Sequence, residues 1–458
     1  MRTRFPFQYG IASLSEITHL LVRVTIEIDG QVATGVSAEG LAPKWFTKNP
    51  HTSFDEVDAP EMLRAIDQAA KIAIGMPASA SLFRWWQSLY EIHHDWAHEH
   101  DIEPLLASFG VSLIERAVID AVCHLRQTCL FEYLKSNGPG IVLGDVRPEL
   151  RPVTVDKILP AQPRSTLLVR HTVGLSDPLS SADLNGLQRP DDGLPLTLEE
   201  NIRIYGLRYF KIKLSGDLER DRQRLSAIAE IVAAKVGEAK ITLDANEQFA
   251  SLEAFRSHYQ DCRSLLSDFF ERSLLFVEQP IDRKHALGQS ADEFGMSDWL
   301  DRPPIIIDES DADLDSLPTA LAIGYCGTSH KNCKGIIKGI VNAASLFLAR
   351  TEGRRVILSA EDLANVGPVA LPQDLAMVAA LGIDHVERNG HHYFAGLSSF
   401  PAAEQQRVLA AHGDLYQQHP RGFVTLAVND GKVDVGTVVR APFGYADSPD
   451  LTFAEPLK

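Results

Sequence analysis

Seven short apolar runs along the chain end in residues that do acid–base or metal chemistry: RYFKIKL, KITLDAN, LLFVEQP, PIIIDES, GTSHKNCKG, VILSAED and DHVERNG. Their ends supply Lys211 and Lys213, Asp244 and Asn246, Glu278, Asp308 and Glu309, Lys331, Glu361, and Glu387. Asp244, Glu278 and Asp308 close three successive runs. Three carboxylates make a hard, oxygen-rich donor set suited to Mg²⁺, and without a cation they would repel one another until one took up a proton. Lys211 and Lys213 are two apart, so on a strand they face the same way while Ile212 faces the other. A neighbouring ammonium and a divalent cation both disfavour a charged lysine, which makes Lys213 a candidate general base. Lys331 is a second candidate acid–base amine.

Chemistry of this kind needs the run ends to meet. From position 213 the comparable ends lie 31, 34, 30, 23, 30 and 26 residues apart, the length of a strand plus a helix. The segments between are helical in pattern; Leu225, Ile228, Val232 and Val236 form one apolar stripe on a helix that Asp217 and Glu219 could begin. With a first strand at Leu167 to Val173 the count is eight. No G-x-G-x-x-G marks an open-sheet crossover, so eight parallel units are best accommodated by a closed barrel, whose C-terminal strand ends share one mouth.

Before the barrel, THLLVRVTIEIDGQVATGV alternates around Asp29-Gly30 and reads as a hairpin, and the spacing from Glu61 to Tyr133 is helical, as in Ile114, Val118, Ala121, Val122 and Leu125. This predicts an α+β domain over residues 1–150, a barrel over 151–400 and a C-terminal segment over 401–458. Forty-four Lys and Arg against 61 Asp and Glu give a net charge of −17, which argues against a nucleic-acid partner. Five cysteines form no C-x-x-C pair, and no apolar run is long enough to span a membrane. A soluble, cytoplasmic protein is expected.

Taken together, these motifs resemble the enolase superfamily, in its muconate lactonizing enzyme-like branch. Lys211-Ile212-Lys213 is similar to the family's K-x-K, Asp244-Ala245-Asn246, Glu278-Gln279-Pro280 and Asp308-Glu309-Ser310 to its three metal-ligand motifs, and Lys331 to the lysine ending its sixth strand. The resemblance implies a modified TIM barrel, (β/α)7β, with an α+β N-terminal capping domain to which the C-terminus returns. It implies an essential Mg²⁺ on Asp244, Glu278 and Asp308. It also implies abstraction of the proton next to a carboxylate, with the enediolate stabilised on the metal. Lys213, Lys331 and Lys211 are the expected catalytic residues. The seventh strand ends in Ser359-Ala360-Glu361-Asp362, without the histidine of mandelate racemase-like members, and the eighth lacks the D-x-D of dipeptide epimerases.

The expected outcome is racemisation, epimerisation or cycloisomerisation. Dehydration of a hydroxy or sugar acid by the same chemistry is the alternative, and a non-catalytic carboxylate-binding protein is an alternative of another class. Asn246, Glu361, Glu387 and Trp45 are expected to contact substrate, with Arg388 and His391 as further candidates. The long loop from Leu175 to Pro195 is expected to cover the mouth, and His330 to point away from Lys331. His94 and His98, one helical turn apart, are a zinc candidate that a solvated helix end explains better. The expected partners are a small-molecule carboxylate and further copies of the chain.

Overall fold

The computed structural model describes every residue except 11, 186–188, 289–294, 447–448 and 458. Two antiparallel hairpins open the chain, β1 (Arg2–Tyr9) with β2 (Ala12–Glu16) and β3 (Thr18–Ile28) with β4 (Gln31–Leu41). The second turns at Asp29 and Gly30, both left-handed with φ of 52° and 76°, as a tight turn between twisted strands requires. Residues Gly35 to Leu41 of β4 are buried throughout, because the strand lies on the helix Pro104–Arg126. Gly35 permits that approach: a Cβ there would lie 2.1 Å from the carbonyl oxygen of Ala117. The helices Ala59–Gly75 and Leu82–Glu99 pack around the same central helix.

Eight parallel strands follow, each short and each buried where it reaches its C-terminal end. They are β5 (Thr166–Val173), β6 (Tyr209–Lys213), β7 (Lys240–Asp244), β8 (Leu274–Glu278), β9 (Ile305–Ile306), β10 (Gly327–His330), β11 (Ile357–Ala360) and β12 (His385–Arg388). β12 pairs with β5, and pairing runs on in order to β9. A single bridge from Ile307 to Thr328 carries the wall to β10 and β11, and β11 packs beside β12. Helices connect the strands, so the architecture is the α/β barrel with an N-terminal cap that the strand spacing predicts.

After β12 the chain forms the helix Ala402–Ala411, the small hairpin β13 (Tyr416–Gln418) and β14 (Val424–Leu426), and β15 (Lys432–Asp434). β15 adds antiparallel to the first residues of β5. Only then does the tail reach the cap side, where Leu451 packs with Leu21 against Val36 and Ala38, and Phe453 meets Phe400 edge-on at 5.9 Å.

Buried carboxylates join cap to barrel: Glu39, on β4, accepts from Asn365 Nδ2, and Glu115 holds the start of a barrel helix. Glu115, on the central cap helix, accepts the backbone N–H groups of Ile336 at 3.1 Å and Ile337 at 2.7 Å. These are the first residues of the helix Ile336–Thr351, whose own N-cap position, Gly335, offers no side chain. The carboxylate satisfies donors that helix geometry leaves open, and its charge suits the positive end of the helix. Glu115→Ala is expected to lower stability by about 2–3 kcal/mol in denaturant unfolding, because it strands two buried donors; a loss under about 0.5 kcal/mol, typical of an uninvolved surface site, would show that this contact does not join the two parts.

Candidate active site

Strand alternation sorts the residues. On β6, Lys211 and Lys213 face the barrel axis, while Ile212 lies in the core among the surrounding helices. The interior also receives Arg170 and Thr172 from β5, Asp244 from β7, Glu278 from β8, Asp308 just past β9, Lys331 just past β10, Glu361 just past β11 and Glu387 from β12. All are buried. Parallel strands in one register bring these ends to one level, with Lys213 beside Asp244 and Asp244 beside Glu278.

The Lys211 ammonium lies among four carboxylates: 2.9 Å from Asp244 Oδ2, 2.9 Å from Glu278 Oε1, 2.8 Å from Glu361 Oε2 and 2.9 Å from Glu387 Oε2. Lys331 donates to both oxygens of Asp308 at 2.8 Å and to Glu361 Oε2 at 2.6 Å. Lys213 donates to Asp244 Oδ2 at 2.6 Å. Burial alone would favour the neutral amine, yet the surrounding acids hold Lys211 and Lys331 well above the usual lysine range.

Burial opposes ionisation of Asp308 and Glu361, but Lys331 and Lys334 around the first, and Lys211, Lys331 and Arg170 around the second, hold both below the carboxylate range. Burial, with Glu361 beside it, pushes the Glu278 carboxyl well above that range. Glu278 Oε2 is buried with the Lys211 ammonium 2.9 Å away, although no aligned hydrogen bond reaches it. Among the described residues, Glu278, Asp308 and Glu361 each offer an oxygen within 4.8 Å of the others, an all-oxygen set that fits a hard divalent cation. This group differs by one residue from the triple expected as ligands. Asp244 is turned to Lys211 and Lys213, and Glu361, expected at the substrate, lies in the carboxylate group instead.

Lys211, Lys213, Asp244, Asn246, Asp308, Lys331, Glu387 and Trp45 line one cavity. Trp45 stands in the short helix Pro43–Thr47 after β4, and its ring centroid is 5.1 Å from Lys331 Nζ. Asn246 donates to Glu309 Oε1 at 3.0 Å; burial, reinforced by the carboxylates of Asp308, Glu247 and Asp244, pushes Glu309 up to about 8. Glu387 accepts from Thr172 at 2.5 Å and faces the cavity, whereas Arg388 and His391 turn away from it. Arg388 pairs with Asp362, and His391 lies 3.1 Å from His171. The loop from Leu175 to Pro195, of which residues 186–188 lie outside the described residues, is fastened to β1. Arg4 pairs with Asp192 at 2.5 Å and donates to the carbonyls of Pro195 at 3.1 Å and His392 at 2.6 Å.

His330 is buried against Gly339 and lies 3.1 Å from Asn332 Oδ1, on the helix side of its strand. His94 stacks on Tyr90 and meets Ser108 at 3.2 Å, while His98 is exposed. Two cations escaped the sequence reading. Arg170 donates to Glu361 Oε1 at 2.7 Å from inside the barrel, and Lys334 lies 2.9 Å from Asp308 Oδ1 while donating to the carbonyls of Asp308 and Ser329. Both carried a signal: an arginine inside the apolar strand text LLVRHTV, and a second lysine three residues after Lys331.

No helix among the described residues is long and apolar enough to cross a membrane. No protein-family model matches the chain, and no curated protein matches it. Solved structures do. A muconate lactonizing enzyme from Pseudomonas fluorescens, complexed with muconolactone, superimposes with a TM-score of 0.59 at 16% identity, over 99% of this chain and 95% of that one. A mandelate racemase/muconate lactonizing enzyme from Bordetella bronchiseptica RB50 gives 0.56 at 13% identity over 98% of both chains. One from Roseiflexus sp. gives 0.53 at 16% identity, over 95% of this chain and 97% of that one. At such identities the likeness is one of fold, and over nearly its whole length the chain has the fold of these mandelate racemase and muconate lactonizing enzyme structures.

Proposed function

We propose that this protein is a Mg²⁺-dependent enzyme of the enolase superfamily that removes the α-proton of a small carboxylate substrate and returns a proton to racemise, epimerise or cycloisomerise it. The observation that carries this reading is the placing of two lysines on one cavity from opposite walls. Lys213 ends β6 and Lys331 follows β10, four strands apart in a barrel of eight. Amines so placed address two faces of one bound carbon. One takes the proton and the other supplies it, as general acid–base catalysis requires.

A divalent cation held by Glu278, Asp308 and Glu361, with Asp244 adjoining, would offset the second negative charge that builds on the substrate carboxylate and loosen the hold of these acids on the lysines. The chain's own residues do the rest. Lys211 keeps four carboxylates together and is a positioning residue in this scheme. Lys334 and Ser329 fix Asp308 from behind, Ser329 by a 2.5 Å hydrogen bond. Asn246, Glu387 and Trp45 border the space where the substrate would lie. Dehydration would need the same first step and a leaving group on the neighbouring carbon, and no group in the cavity singles out that outcome.

Two measurements test the reading. In D₂O with Mg²⁺, a turned-over carboxylic acid exchanges its α-proton. Lys213→Ala is expected to slow exchange from one enantiomer about a thousand-fold and Lys331→Ala from the other; equal exchange of both enantiomers in either variant contradicts the assignment. Separately, calorimetric titration with Mn²⁺ is expected to show one site that Glu278→Gln weakens at least about tenfold. Unchanged Mn²⁺ affinity in a variant that still melts cooperatively would remove Glu278 from the metal site.

A further inference from the structure

The cavity is divided by chemistry. Its floor, at the level of the strand ends, is charged. Its roof comes from the cap and from the loop after β11: Phe7, Tyr9, Leu14 and Trp45 on one side and Leu363 on the other, each under a tenth exposed. Phe7 stacks on Tyr393 at 4.1 Å and lies 5.0 Å from Tyr9, so the aromatic part of the roof is braced rather than loose. The polar side chains between the two levels are Asn246 and Asn389, each two residues beyond a strand-end carboxylate at the edge of the floor, and Asp362, next to Leu363, whose carboxylate pairs with Arg388.

The roof holds no positive charge. No Lys, Arg or His from the cap is among the described residues lining the cavity. The nearest cap lysines are already engaged next door. Lys44 Nζ donates to the carbonyls of Asn49 and Thr52 and pairs with Asp58 at 2.5 Å. Lys48 Nζ donates to the Glu247 carbonyl at 2.8 Å, with the Glu247 and Asp282 carboxylates at 3.6 and 3.5 Å. A second carboxylate on the substrate would be buried there without a counter-ion and beside the Asp362 carboxylate, and a row of hydroxyls would lose water for the Tyr9 phenol and a carboxylate already paired with Arg388. Both are costly, whereas an alkyl or aryl group gains by leaving water.

We infer that the substrate is a monocarboxylate whose far end is apolar, with its carboxylate on the charged floor and its alkyl or aryl tail against Phe7, Tyr9, Leu14, Trp45 and Leu363. The inference rests on the proposed function for the placing of the carboxylate. It separates this cavity from one built for dicarboxylates, dipeptides or sugar acids.

Three six-carbon acids test it: hexanoate, adipate and gluconate, titrated calorimetrically into the full-length protein with Mg²⁺ present. Hexanoate should bind at least tenfold more tightly than adipate or gluconate. Leu14→Arg, which places a cation in the roof, should strengthen adipate binding at least tenfold and weaken hexanoate. Leu363→Lys should do the same from the barrel side, and thermal melting shows which variant is folded. The inference is overturned if adipate or gluconate matches hexanoate, if none of the three binds at millimolar concentration, or if a folded variant keeps the original preference. A preference for hexanoate with no α-deuterium exchange from any bound acid would leave the apolar roof standing and count against the proposed reaction alone.

Discussion

Five acids cannot be gathered at the buried end of a barrel without positive charges among them. Asp244, Glu278, Asp308, Glu361 and Glu387 are set against Arg170, Lys211, Lys213, Lys331 and Lys334, and every member is within a tenth of full burial. The Lys211 ammonium, touching four of the five acids, is the contact on which the rest depends. Breaking up such a cluster is far costlier than its net contribution to stability suggests, since each charge left alone would carry its full desolvation penalty. The balance also bears on the overall acidity of the protein. Five cations face these acids, of which Glu278 is pushed towards its neutral form, so a chain of net charge −17 can still attract a carboxylate locally.

The barrel is what allows this arrangement, and the cap completes it. Parallel strands place the charged ends at one level, and the central cap helix is fixed to the barrel through Glu115 at the start of the helix Ile336–Thr351. β1 is held to the loop after β5 through Arg4. These ties set Phe7, Tyr9 and Trp45 on the cavity that the charged strand ends also line, so that its polarity changes from one side to the other.

Much of this was legible in the sequence because seven of the eight barrel strands announce their ends. A short apolar run followed by Asp, Glu or Lys at near-constant spacing marks those seven, and alternation gives the inward set: Lys211 and Lys213 in, Ile212 out. The hairpin turn at Asp29-Gly30 carries its own chemistry in the left-handed pair. Less legible was how the charges pair. The sequence orders the acids by strand, while the ammonium groups bridge across the axis, and so Glu361 from β11 joins Glu278 and Asp308 while Asp244 turns to the lysines of β6. Arg170 and Lys334 act through contacts across the barrel or back from a loop, for which a linear pattern has no period. The orientation of Arg388 and His391, away from the cavity, follows from partners in distant segments, Asp362 and His171.

The central claim is that this balanced cluster is the resting form of a divalent-metal site. Anomalous diffraction from crystals of the protein grown with Mn²⁺ tests it most directly. The account predicts one strong peak with oxygens of Glu278, Asp308 and Glu361 at about 2.1 Å, and the ammonium groups of Lys211 and Lys331 moved off those oxygens. Crystals that bind Mn²⁺ only elsewhere, with both ammonium groups still seated among the carboxylates, would contradict it.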